Sequence, residues 1–119
     1  KAALGSINGA RTYVAGMCVA MLGDALASAV DYLREREAFG APLLEKQGLR
    51  WSLADIATDL EAATELTAKA ARAVQAGSKD AILAAAHAKK YVHLSPSFFC
   101  ITNNSSLHRF LGEDFEAAS

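Results

Sequence analysis

Arg36, Phe39 and Gln47 lie in the stretch REREAFGAPLLEKQ, residues 34–47, where a charged run breaks at Phe39-Gly40. Their types allow a specific chemistry. A guanidinium binds a phosphate through two parallel hydrogen bonds. A ring beside it can cover a ribose or a base, and the amide of Gln47 can donate or accept. That set suits a phosphate or dinucleotide contact. The same residues also fit a plain helix terminus, in which Arg34 and Arg36 interact with the carboxyl end of a helix, Phe39 plugs the core and Gly40 serves the turn. The residues alone leave both readings open.

Other chemistry has little support. Asp55, Asp59, Glu61 and Glu65 read as the solvated face of a helix. No Glu has a His three residues on, so the paired motif of a di-iron bundle is missing. His87, His93 and His108 lack the i, i+4 spacing that puts two metal ligands on one helical face. No phosphate loop, dinucleotide glycine fingerprint or nucleophile elbow occurs. We therefore expect no metal site and no catalytic residue. Cys18 and Cys100 stand too far apart in sequence for a metal motif and are too few for a disulfide framework. Two reduced, buried thiols in a cytoplasmic setting are expected.

These residues must be positioned by helices. The chain has 119 residues, about one domain, and 52% are hydrophobic. Its net charge of -1 argues against a nucleic-acid partner. The apolar run YVAGMCVAML, residues 13–22, is too short to span a bilayer, so no membrane span is expected. The first residues look like the interior of a longer protein. Alanine is abundant and the prolines are Pro42 and Pro96, which favours helix. A first helix is expected from about Ser6 to Glu35, with Val14, Met17, Met21, Ala25, Leu26, Ala29 and Leu33 in its apolar stripe. Gly16 and Gly23 would let another helix approach closely. A second helix carries Leu49, Leu53, Ile56, Leu60, Ala63, Thr67, Ala70 and Val74 on one face and ends at Gly77. Ser78 caps the next helix, which starts near Lys79 and is kinked or interrupted at Pro96. Residues 1–119 are thus expected to form one all-α, antiparallel up-and-down bundle.

The segment YLREREAFGAPLLEKQGLRWSLADIATDLEAA resembles the carboxy-terminal helical domain of acyl-CoA dehydrogenases. Tyr32, Arg36, Phe39, Gly40 and Gln47 match that family's pattern in register, as do Leu53-Ala54-Asp55 and Leu60-Glu61-Ala62-Ala63. Gly9-Ala10-Arg11, with Ala15-Gly16, and Ala88-Lys89 extend the match. The resemblance implies an FAD-dependent dehydrogenase acting on an acyl-CoA and passing electrons to an acceptor. It implies that Arg36, Phe39 and Gln47 contact the adenosine diphosphate part of FAD across the interface of a dimer or tetramer. It also implies that Arg11 lies near the substrate. Two departures follow. The family's Gln-x-x-Gly-Gly flavin contact corresponds here to LHRFLGEDF, residues 107–115, where Gly112 matches one glycine and Glu113 replaces the other. At a position where some members carry the catalytic base stands Ala10, which cannot accept a proton. The isolated chain is therefore expected to be inactive. The alternatives are a sister flavoenzyme, such as an acyl-CoA oxidase or a flavin monooxygenase, and a non-catalytic helical interaction module.

Overall fold

The computed structural model describes residues 2–95 and 97–98. Three helices account for most of them: α1 (Ala2–Glu35), α2 (Gln47–Gln75) and α3 (Ala81–Leu94). Two strands of two residues each, β1 (Glu37–Ala38) and β2 (Ala41–Pro42), and a 3₁₀ turn at Leu43–Glu45 fill the α1–α2 connection. The fold is all-α, and each helix packs on the other two. α1 and α2 run antiparallel: Gly16 faces Thr67, and Gly23 faces Leu60. α2 and α3 do the same, because Asp59 meets Tyr91 and Ser95 while Leu66 lines a groove with His87.

The second helix follows its apolar spacing. Leu53, Ile56, Ala63 and Ala70 are buried, with Leu49 and Leu60 partly buried beside them. Its end is a Schellman motif. Gly77 has φ +60, its N–H donates to Val74 O at 3.1 Å, and Ser78 N–H donates to Ala73 O at 3.0 Å. Ser78 Oγ accepts from Asp80 N–H at 3.2 Å in the turn that follows, but α3 starts at Ala81 with Asp80 at its N-cap position and no side-chain cap, so Ser78 is not the expected cap.

α1 departs from its expected stripe. The buried residues are Asn8, Ala15, Leu22, Ala29 and Leu33, with Cys18, Val19 and Leu26 partly buried. Val14, Met17 and Met21 are exposed instead. The glycine expectation also fails in part. A methyl group built on Gly16 would sit 4.0 Å from Thr67 Cγ2, and one on Gly23 would sit 3.9 Å from Leu60 Cδ2. Both are ordinary contacts, so neither glycine is needed for the helices to approach. The apolar run at residues 13–22 lies within a longer apolar helix. Gly5–Glu35 is a helical span of 31 residues whose most apolar 18-residue window has a mean hydropathy of 1.6, long and apolar enough by composition to cross a bilayer. Its packing on α2 and α3 supports its place in the bundle.

Asp59 was expected on a solvated face, yet it joins α2 to the end of α3. Its carboxylate accepts hydrogen bonds from Tyr91 Oη at 2.9 Å, Ser95 Oγ at 2.5 Å and Ser97 Oγ at 2.7 Å. α3 ends at Leu94, and Ser95 is extended, as the residue before a proline should be. Burial pushes the Asp59 carboxyl up, but the three hydroxyl donors together outweigh it and hold the group below its ordinary value. Burial, followed by the Asp59 hydrogen bond and charge, pushes the Tyr91 phenol up. Asp59→Asn puts an amide donor where a charged acceptor stood, and should cost about 1–3 kcal/mol at neutral pH. The lowered carboxyl contributes fully above its unfolded value of about 4 and loses that contribution as pH falls through the folded value. Wild type should therefore lose stability in acid more steeply than Asp59→Asn. Parallel curves of unfolding free energy against pH would contradict this.

Candidate functional site

The break after α1 is a miniature β-hairpin. Glu37 pairs with Pro42 and Ala38 with Ala41. Phe39 and Gly40 form the two-residue loop, with φ of 57 and 80. Two positive φ angles mark a type I′ turn, the kind that matches strand twist. Leu43 N–H donates to Arg36 O at 2.8 Å and closes the hairpin base. Beneath it, Leu33 and Leu43 pack with Ala29 and Leu53, so a small core holds the hairpin against both long helices.

Type I′ turns normally use Asn, Asp or Gly at the first loop position, where a left-handed backbone is tolerated. Phe39 is a bulky exception, and such a residue costs about 1–3 kcal/mol of strain. Its ring is also 78% exposed. The helix-terminus reading placed that ring in the core, and the structure places it at the surface instead. A strained backbone that holds an aromatic ring in solvent contributes nothing to packing. Such outliers gather at ligand contacts.

The surroundings favour an anion. Arg34 pairs with Asp31 at 3.4 Å, whereas Arg36 has no acidic partner among the described residues. α2 begins at Gln47 with no side-chain cap and no acidic residue in its first turn. Its first N–H groups thus have neither a side-chain cap nor a first-turn carboxylate among the described residues. Lys46, at the cap position, holds its ammonium 5.5 Å from the centre of the Phe39 ring. The α1–α2 connection and the start of α2 thus carry Arg36, Phe39 and Gln47, with Lys46 over the Phe39 ring as a second cation. A groove of about 670 Å³ is lined by Leu26, Val30, Leu44 and Leu53 and by Arg34, Arg50 and Glu45, and not by Arg36, Phe39 or Gln47. A guanidinium, an open helix start, an amide and a ring form a donor set that fits a dinucleotide diphosphate.

Arg11 does not join this group. It lies half-buried on α1, 25 positions before Arg36, which is about 37 Å along a helix. Gly112, Glu113 and His108 fall outside the described residues. The sequence reading missed Lys46 and Trp51. Trp51 is 65% exposed one turn beyond Gln47, on the same face of α2. The i, i+4 spacing from Gln47 to Trp51 was a readable signal, whereas the approach of Lys46 to Phe39 needs the hairpin.

Comparison with known sequences decides the family. The family described as "Acyl-CoA dehydrogenase, C-terminal domain" matches residues 1–95. This chain belongs to the acyl-CoA dehydrogenase family. It is 36% identical over 100 residues to the mitochondrial short/branched chain specific acyl-CoA dehydrogenase of Rattus norvegicus, covering 82% of this chain and 23% of the relative. It is 39% identical over 77 residues to the short-chain specific acyl-CoA dehydrogenase of Megasphaera elsdenii, covering 65% and 20%. It is also 39% identical over 87 residues to the 3-sulfinopropanoyl-CoA desulfinase of Paraburkholderia xenovorans (strain LB400), covering 72% and 22%. The chain thus spans less than a quarter of the length of these relatives.

Proposed function

We propose that residues 1–119 are the carboxy-terminal helical domain of an FAD-dependent acyl-CoA dehydrogenase. In this reading Arg36, Phe39 and Gln47 meet the adenosine diphosphate part of FAD held by a neighbouring subunit. The observation that carries the reading is the exposed, left-handed Phe39 near an uncapped helix start and an Arg36 with no acidic partner among the described residues. Arg36 and the N–H groups of the first turn of α2 would hold the diphosphate, and the Phe39 ring would cover a sugar or base of the same dinucleotide. FAD, when bound, would supply the redox chemistry by taking hydride from the beta carbon of an acyl-CoA. Arg11, at the far end of α1, would face the substrate. The free thiol of Cys18 is compatible with a reducing, cytoplasmic compartment.

The test uses the full-length parent, which should purify with a flavin absorbance band. That band should bleach on anaerobic addition of an acyl-CoA and return with an electron acceptor. A purified, folded parent that neither retains nor takes up FAD would contradict the reading. A second reading has its own observation, the 39% identity to a desulfinase. A parent of that kind would hydrolyse the carbon–sulfur bond of a sulfinopropanoyl-CoA, with water giving a proton to carbon and hydroxide to sulfur as sulfite leaves, a net redox-neutral reaction with no lasting bleaching of a flavin band.

The oligomer interface is the other part of the proposal. Ile7, Val14, Met17 and Met21 recur at helical spacing along α1 and stay exposed, with Tyr13 beside them. A face of this kind suits a homodimer or homotetramer. Sedimentation of the chain should show dimers or larger species that dissociate on dilution. A monomer at every concentration would count against this surface.

A further inference from the structure

From the packing around Phe39 we infer that Lys46 is a positioning residue that fixes the Phe39 ring as a one-sided platform for the dinucleotide. The inference rests on the flavin reading above and adds a residue that the family motif does not supply. The hairpin tip gives Phe39 little to lean on, because the ring is 78% exposed. Lys46, by contrast, is anchored at both ends of its backbone. Its N–H donates to Leu43 O at 3.0 Å, and its C=O accepts from Arg50 N–H at 3.1 Å. The side chain is half-buried and reaches back across the hairpin to place its ammonium 5.5 Å from the ring centre. That is within the range of a cation–π contact. Among the described residues, Lys46 is the one cation over this ring.

The consequence is geometric. An ammonium on one face of the ring leaves the opposite face as the open one, and it limits the rotamers of a side chain that otherwise moves freely. A ring held in place before binding loses less freedom when a ligand stacks on it. Lys46 therefore acts on the flavin through Phe39, unlike Arg36, which acts directly.

The experiment is a double-substitution cycle in the full-length parent, read as FAD affinity of the apoprotein, with the melting temperature of each variant as a folding check. Lys46→Gln should weaken FAD about two- to fivefold, the size of an exposed cation–π contact. Lys46→Arg should restore affinity, since a guanidinium also sits over a ring. In a Phe39→Leu background, Lys46→Gln should have no further effect. An equal loss in both backgrounds would overturn the inference and assign Lys46 a direct contact with the phosphates. Unchanged affinity in Lys46→Gln would also overturn it. Arg36→Ala in the same series separates the two levels. If Arg36→Ala weakens FAD while Lys46→Gln does not, only the positioning role fails. If neither does, the flavin reading fails with it.

Discussion

Leu33→Ala should lower the unfolding free energy of the chain by about 2–5 kcal/mol, the range for removing a buried leucine side chain. Leu33 is 1% exposed and packs with Ala29, Leu43 and Leu53. Ala38, Leu44 and Leu49 close around the same cluster. These neighbours come from α1, the hairpin, the 3₁₀ turn and α2, so the void cannot be filled by the movement of one element. Met17→Ala is the matching control. Met17 belonged to the stripe expected from sequence, but it is 50% exposed, and its loss should change stability by no more than about 0.5 kcal/mol in the monomer. Urea unfolding of both variants at low protein concentration measures the difference. Equal losses would mean that the buried face of α1 is assigned wrongly.

Arg36→Ala in the full-length parent should weaken FAD retention about ten- to a hundredfold, the equivalent of losing a charge-assisted hydrogen bond of roughly 1.5–3 kcal/mol. Arg36 lies on the hairpin side of the α1 terminus, exposed and without an acidic partner among the described residues. Arg36→Lys should recover part of the affinity, because an ammonium keeps the charge and loses the planar fork. Gln47→Ala should do less, since a neutral amide contributes less than a charged donor. The ratio of flavin to protein after gel filtration orders the three variants. An Arg36→Lys variant as weak as Arg36→Ala would assign the whole effect to fork geometry, whereas full recovery would assign it to charge alone.

The sequence made α2 legible because its apolar residues are spaced three and four apart among clearly polar ones. Leu53, Ile56, Ala63 and Ala70 are buried as that pattern requires. α1 was not legible in the same way. It is apolar on most of its circumference, so several stripes can be drawn through it. The buried one is built largely on small residues, Ala15 and Ala29, rather than on the methionines. The hairpin left no signal because two-residue strands show no alternation. Its loop also reads Phe-Gly where an Asn-Gly or Asp-Gly would announce a type I′ turn. Asp59 looked solvated because its partners lie 32 to 38 residues away in sequence. For the candidate site, the spacing of Arg36, Phe39 and Gln47 and the family resemblance identified the residues. The left-handed backbone of Phe39 and the cation over its ring emerged only from the fold.

Paired measurement of FAD affinity in Arg36→Ala and Arg34→Ala, each in the apo form of the full-length parent, tests the central claim most directly. The two arginines stand two residues apart and both are exposed, but Arg34 is paired with Asp31 and Arg36 has no such partner among the described residues. A helix-terminus role would make them nearly equivalent and would appear as a small loss of thermal stability in both. The account predicts FAD binding weakened about tenfold or more in Arg36→Ala, near wild-type binding in Arg34→Ala, and similar melting temperatures for the two apoproteins. Unchanged FAD affinity in Arg36→Ala, or the same loss in both variants, would contradict it.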